Sequence, residues 1–291
     1  MTSGSDGRFL SLFAYERTIE QDRTYGPATK KQNSVGHRQY RRHRRKHRQN
    51  ARQEGARVVI HGRKADAAKR VTAEILETGG QATSVLGDLA DDEQAAQVAQ
   101  AAKDAFGQID ILINNAGVFP QRGWWDSTPT QWVELYNQNV ASMVRMIQAF
   151  VPDMKKNGWG RVINISSGAG FQPMAGMPDY AATKSANILI TASLAKEVGS
   201  SGITVNTVSP GPIVTPGAKT LLRQLAQQQG WGDDWAKIER NASAEFVHTS
   251  LQRFGRPEEI AAAVVFLSSP LASYIHGANL RVDGGYGVAV N

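Results

Sequence analysis

Ile109-Asp110-Ile111-Leu112-Ile113-Asn114-Asn115-Ala116-Gly117 decides the fold. The first half is a short, nearly continuous apolar run bounded by a turn, which predicts a strand over Ile109–Ile113. A strand that does not alternate is buried on both faces, as in a parallel sheet covered by helices. The second half is a turn of small residues that lets backbone come close to a flat ligand.

Working outward, similar runs recur at Ala56–His61, Ala82–Gly87, Arg161–Ile165, Ile203–Val208 and Ala278–Val282. Helix-period segments separate them near 64–78, 91–106, 129–156, 179–199 and 257–268. This alternation predicts an α/β fold: a single Rossmann-like doubly wound parallel sheet with helices on both faces. Ligands then gather at the carboxyl ends of the strands. Residues 216–250 depart from the alternation. Two predicted helices flank Gly230-Trp231-Gly232 there, and an excursion of that length is a candidate substrate lid, the alternative being a plain hairpin of surface helices.

The 291 residues suffice for one large domain or two small ones, and the formal net charge is +7. That charge is local. Residues 1–52 hold 13 Lys/Arg against 4 Asp/Glu, whereas residues 53–291 hold 20 against 22. Most of the basic character lies in His37–Arg52, HRQYRRHRRKHRQNAR. The chain therefore divides into a basic segment, 1–52, expected to be disordered, and a slightly acidic globular body, 53–291. The absence of cysteine excludes disulfides, thiolate metal sites and cysteine nucleophiles. No metal site is expected. No apolar run approaches the ~20 residues of a membrane span, and Phe9–Tyr15 is too short for a secretory core. The expectation is a soluble, cytoplasmic protein.

Tyr180-Ala181-Ala182-Thr183-Lys184 carries the chemistry. Positions i and i+4 share a helix face, so phenol and ammonium enter one site. A cation beside a phenol favours the phenolate and draws its pKa down, which suits proton exchange with a substrate oxygen. Ser167, at the end of the strand Arg161–Ile165, places a hydroxyl at the same sheet edge. It can hold a carbonyl oxygen or cap the following turn. The strand Ile203–Val208 ends in Ser209-Pro210-Gly211-Pro212-Ile213-Val214-Thr215, another turn at that edge.

In this order and spacing, Asn114-Asn115-Ala116-Gly117, Ser167, Tyr180-x-x-x-Lys184, Pro210-Gly211 and Val282-Asp283-Gly284-Gly285 resemble the short-chain dehydrogenase/reductase family, close to its 3-oxoacyl-acyl-carrier-protein reductases. The resemblance implies Tyr180 as general acid/base, Lys184 on the nicotinamide ribose and Ser167 on the substrate oxygen. Asn139 resembles the fourth catalytic residue, which kinks its helix. Asp88-Leu89 would lie near the adenine, Asn115, Ala116 and Gly117 along the cofactor, and Pro210, Gly211, Ile213 and Thr215 around the carboxamide and phosphates. At the end of Ala56–His61 an NAD enzyme usually presents an acid to the ribose hydroxyls. Here the chain reads His61-Gly62-Arg63-Lys64, and Arg63 suits a 2′-phosphate, so NADP(H) is expected rather than NAD(H). The resemblance also implies a small-molecule carbonyl or alcohol substrate and a homo-oligomer.

One part of the pattern is missing. The family opens with an apolar strand and Thr-Gly-x-x-x-Gly-Ile-Gly, whose backbone N–H groups receive the pyrophosphate. Residues 1–52 contain no such loop, which leaves the central place of the sheet without its first strand. A displaced reading frame can produce this. Back-translated with suitable synonymous codons and read one base later, Tyr25–Arg52 spells M-D-L-Q-L-K-N-K-T-A-L-V-T-G-S-T-G-G-I-G-E-S-I-A-K-T-L-A, a strand, the loop and a helix. The alternative is a catalytically impaired scaffold whose basic arm binds nucleic acid by charge.

Overall fold

The structure is a computed structural model that describes residues 12–16, 56–172, 174–247 and 249–287. The basic run His37–Arg52 and the stretch Tyr25–Arg52, which a displaced frame can produce, lie outside the described residues. The strands are β1 (Leu12–Glu16), β2 (Arg57–Gly62), β3 (Gln81–Leu86), β4 (Ile111–Asn114), β5 (Gly160–Ile165), β6 (Ile203–Pro210) and β7 (Asn279–Val282). They form one sheet in the order β3-β2-β1-β4-β5-β6-β7.

The doubly wound α/β architecture stands, with a correction at its centre. The place expected to lack a strand is held by β1, which runs antiparallel to both β2 and β4. Phe13 pairs with Ile60 on one side and Ile113 on the other. With that place empty, the facing N–H and C=O groups of β2 and β4 would be unpaired inside the protein. An antiparallel ladder satisfies them as fully as a parallel one. Direction still matters: Leu12 lies beside Asn114 at the carboxyl edge of β4, and Glu16 leaves beside Arg57 at the opposite edge.

Helices α1 (Ala65–Glu77), α2 (Asp92–Phe106), α3 (Pro129–Tyr136), α4 (Ser142–Asn157) and α5 (Pro178–Val198) connect the first strands. The strand period of two divides β4 between the faces. Leu112 joins Val98, Ala102, Met146, Phe150, Val162 and Val205 on one side, while Ile111 and Ile113 join Ile163, Val208 and Leu267 on the other. Phe150 is 1% exposed, so truncation to alanine there would cost about 3–5 kcal/mol. The α2 cap follows from sequence: Asp91 accepts from the Gln94 N–H at 2.8 Å.

The segment expected as one helix over 129–156 is interrupted. After α3, which starts with a capping box between Thr128 and Gln131, Asn137–Ala141 forms a π turn before α4 begins. Residues 216–250 hold the two expected helices, α6 (Pro216–Gln228) and α7 (Trp235–Ala242). They enclose a small core of Leu222, Ala226, Ile238, Ala242, Val247 and Phe254, with Trp231 and Trp235 packed against it. The last helix is α8 (Pro257–Ser268). No helix among the described residues is long and apolar enough to cross a membrane.

Candidate active site at the carboxyl edge of the sheet

α5 begins with Pro178 in its first turn, and Tyr180, Thr183, Lys184 and Asn187 recur along one face. The Gly168–Gly170 turn after β5 lets that helix approach closely. A Cβ on Gly170 would come within 2.8 Å of the Lys184 carbonyl carbon. The Ser167 hydroxyl lies close enough to the Tyr180 phenol to favour its ionised form. The Ser167 oxygen also accepts from the Ala169 N–H at 3.2 Å, so Ser167 caps the turn as well as facing the phenol. Lys184 is 5% exposed, donates to the Ile165 carbonyl at 3.1 Å and lies 5.7 Å from the Tyr180 ring centroid.

The charge balance differs from the simple expectation of a phenol made acidic by its neighbour. Burial pushes the Tyr180 phenol up, and the Ser167 hydroxyl offsets this only in part. Burial also brings the Lys184 ammonium down to about 8. Desolvation disfavours both charged forms, and at these positions it outweighs the favourable contacts.

The π turn serves this cluster. Asn139, 1% exposed, accepts from the Val118 N–H at 2.8 Å and donates to the Val118 carbonyl at 2.9 Å and to Thr183 Oγ1 at 3.1 Å. It ties the turn after β4 to the helix carrying Tyr180. Gly117 lies between them: a Cβ there would meet Asn139 Oδ1 at 3.2 Å and Lys184 Nζ at 3.5 Å. Gly117, Asn139, Ser167, Tyr180 and Lys184 thus come together as the sequence proposed.

A second cluster occupies the ends of β2 and β3. Arg63, directly after Gly62, donates to Asp88 Oδ2 at 3.0 Å, and Asp88 Oδ1 accepts from the Ala90 N–H at 3.0 Å. Burial pushes the Asp88 carboxyl up, but the Ala90 N–H and the Arg63 guanidinium together hold it below its usual range. A small cavity there is lined by Arg63, Asp88, Leu89, Ala116 and Gly117, which links the two clusters. Asn115 lies in the turn between Asn114 and Ala116.

The turn after β6 is engaged with its own neighbours. Pro210 ends β6, Gly211 donates to the Val282 carbonyl at 3.2 Å, Ile213 bridges to Gly255, and Thr215 caps α6 by accepting from the Ala218 N–H at 3.2 Å. Ile213 lines a larger cavity of about 470 Å³ with Arg253, Glu259 and Asp283, which Tyr180 and Lys184 do not line.

Sequence reasoning missed two features. His61 is buried in the lining of the small cavity, its Nε2 lies 2.9 Å from the Gly87 carbonyl, and its Nδ1 has no partner. Burial, the largest influence, lowers its pKa. Asp179, beside Tyr180, is 1% exposed and bound to Arg122. A polar residue inside the strand run was the available signal for His61. Nothing local points from Asp179 to Arg122.

A nicotinamide dinucleotide fits this edge at its two ends. The orphaned His61 Nδ1 and the Arg63 guanidinium suit the ribose phosphate end, and Gly117 beside Lys184 suits a ring and ribose. The middle does not fit. Between Gly62 and Asn114 the only strand residue at this edge is Leu12, the first of β1, so the described residues offer no strand-to-helix turn of N–H groups for a pyrophosphate.

A family profile described as enoyl-(acyl carrier protein) reductase matches residues 47–287. The uncharacterized oxidoreductase YvrD of Bacillus subtilis is 35% identical over 238 residues, covering 80% of this chain and 88% of that protein. The 7alpha-hydroxysteroid dehydrogenase of Escherichia coli K12 is 33% identical over 231 residues, 79% of this chain and 84% of the relative. Among solved structures, L-sorbose reductase from Gluconobacter frateurii complexed with NADPH and L-sorbose aligns with a TM-score of 0.75 at 31% identity, covering 80% of this chain and 88% of the other. A 7alpha-hydroxysteroid dehydrogenase complexed with NADH aligns at 0.68 and 32%, covering 81% and 86%. Together with the sheet order and the motifs at its carboxyl edge, these matches establish that the chain belongs to the short-chain dehydrogenase/reductase family of oxidoreductases.

Proposed function

We propose that this fold serves an NADP(H)-dependent oxidoreductase acting on a carbonyl or secondary alcohol. The observation that carries it is the buried Lys184 ammonium, held by the Ile165 carbonyl 5.7 Å from the Tyr180 ring, with the Ser167 hydroxyl at the same phenol. Ser167 holds the substrate oxygen, and Tyr180 gives that oxygen a proton or takes one from it. Lys184 fixes the ribose side of the site, and Asn139 keeps the Val118 turn and the Tyr180 helix in register. NADP(H), when bound, supplies or accepts the hydride. Relatives of known structure carry NADPH in one case and NADH in another, so the preference rests on Arg63 and on the absence of an acid after β2. A homo-oligomer belongs to the same reading, supported by exposed Val133, Tyr136 and Leu189 on α3 and α5, and a cytoplasmic location is carried only by the sequence.

The test is NADPH consumption with a panel of ketones. In a protein with the displaced frame of residues 25–52 restored, Tyr180→Phe is expected to abolish turnover while NADPH binding persists, and full turnover in that variant would remove Tyr180 from the mechanism. The antiparallel β1 favours a second reading, a catalytically silent scaffold with a nucleic-acid-binding arm. Salt-dependent DNA binding that disappears when Arg41–Lys46 are replaced by glutamine would support it.

A further inference from the structure

Three observations meet at the centre of the sheet. Its middle strand runs against the direction of its neighbours, its carboxyl edge lacks a pyrophosphate cradle among the described residues, and the family match begins only at residue 47, inside the basic run. We infer that residues 25–52 are the out-of-frame translation of the strand, glycine loop and helix that belong at this place, and that Leu12–Glu16 fills the gap in their stead.

The genetic code makes the inference restrictive. Read one base later, a shifted codon takes the second and third bases of one codon and the first base of the next. An Arg codon CGN before C becomes GNC, which is Gly, Ala, Val or Asp. A His codon before C becomes Thr or Ile and nothing else. His37-Arg38-Gln39-Tyr40-Arg41-Arg42-His43-Arg44 therefore maps onto Thr/Ile, a small residue, Asn/Ser, Thr/Ile, two small residues, Thr/Ile and a small residue. Every fixed position of Thr-Gly-x-x-x-Gly-Ile-Gly falls where its residue is allowed. Upstream, Asn33–Gly36 can spell the apolar Thr-Ala-Leu-Val. Downstream, Lys46–Arg52 can spell Ser-Ile-Ala-Lys-Thr-Leu-Ala, which carries helix-forming residues.

The geometry agrees. A helix over residues 43–54 would rise ~18 Å. The six residues of β2 span ~20 Å. Such a helix returns the chain from the carboxyl edge to the start of β2 at Arg57, and a parallel central strand would then end beside Gly62 and Asn114. There its loop would face the Arg63–Asp88 and Gly117–Lys184 clusters, at the missing middle of the site. β1 as it lies ends at Glu16 beside Arg57, at the opposite edge of the sheet.

The inference rests on the cofactor assignment proposed above, but its decisive test does not. The gene is expected to carry CGG or AGG at Arg38, Arg42 and Arg44, CAC at His37 and CAT at His43. Compensating single-base changes should lie upstream of Tyr25 and close to Gln53. Any other codon at one of those five positions overturns the inference. With those codons present, the full chain and its frame-restored counterpart are titrated with NADPH by fluorescence. At least ten-fold tighter binding by the restored chain is expected. Equal binding by both overturns the claim that the restored loop completes the site, whereas binding by neither defeats the cofactor assignment and leaves the codon result standing.

Discussion

Arg122 donates to the carboxylate of Asp179 at 2.7 Å across 57 residues of sequence, and Asp179 is the immediate neighbour of Tyr180. Asp179 also accepts from the Tyr180 N–H at 2.7 Å, so the charge pair anchors the first turn of α5. Arg122 reaches the Gln131 carbonyl at 3.0 Å with another nitrogen, which fastens the loop before α3 to the same point. Removing one partner of a buried pair strands the other charge, which costs about 3–5 kcal/mol. Arg122→Ala is expected to lose stability of that order in urea unfolding. Asp179→Asn, which keeps an acceptor for the Tyr180 N–H, should lose less.

Lys184 sets a pH dependence whose sign is defined. Its folded pKa, about 8, lies below the ordinary lysine value of 10.5. The unfolded chain therefore binds more protons between those values, and stability rises with pH across that window. Below it the buried charge costs about 3 kcal/mol. Tyr180, pushed up by burial, removes stability only above the ordinary tyrosine range. Urea midpoints are expected to climb between about pH 8 and about pH 10.5 in the parent chain and to change far less in Lys184→Met. Equal climbs in both would assign the effect to another group.

Arg63 should govern the choice of cofactor. One guanidinium nitrogen engages Asp88, and the charge-assisted bonds it would give a 2′-phosphate are worth about 1.5–3 kcal/mol. In the frame-restored protein, Arg63→Ala is expected to weaken NADPH binding by about 10–100-fold. NADH binding should be nearly unchanged, and parallel losses for both would count against the assignment.

Asn139 makes three hydrogen bonds inside the π turn. Asn139→Ala leaves the Val118 N–H and carbonyl and the Thr183 hydroxyl short of partners, at about 1–3 kcal/mol for each group left unsatisfied. The expected readout is a lower urea midpoint, together with faster amide exchange at Val118.

The strands and helices of residues 56–287 were legible because burial on both faces writes itself as unbroken apolar runs, and Ile111-Leu112-Ile113 is the plainest of them. The shared placement of Tyr180, Lys184 and Ser167 at one sheet edge was legible from an i, i+4 spacing and a strand end, whereas Asn139 came only from the family resemblance. The π turn was hidden, since Asn137–Ala141 has a composition that an ordinary helix tolerates. Arg122 and Asp179 were hidden for another reason: their meeting depends on how a loop crosses a helix, and no local periodicity encodes that. The reversal of β1 was out of reach too, because a short, largely apolar segment such as Leu12–Glu16 fits a sheet in either direction.

The sheet is consequently two halves leaning on a seam. β3 and β2 on one side, and β4 to β7 on the other, share no ladder except through five residues that reach β2 by way of residues 17–55 rather than a tight turn. Closing so long a connection carries an entropic penalty that a short hairpin avoids. Opening should therefore start at this line, with the amides of Val58–Ile60 and Ile111–Ile113 losing exchange protection before those of β5 and β6.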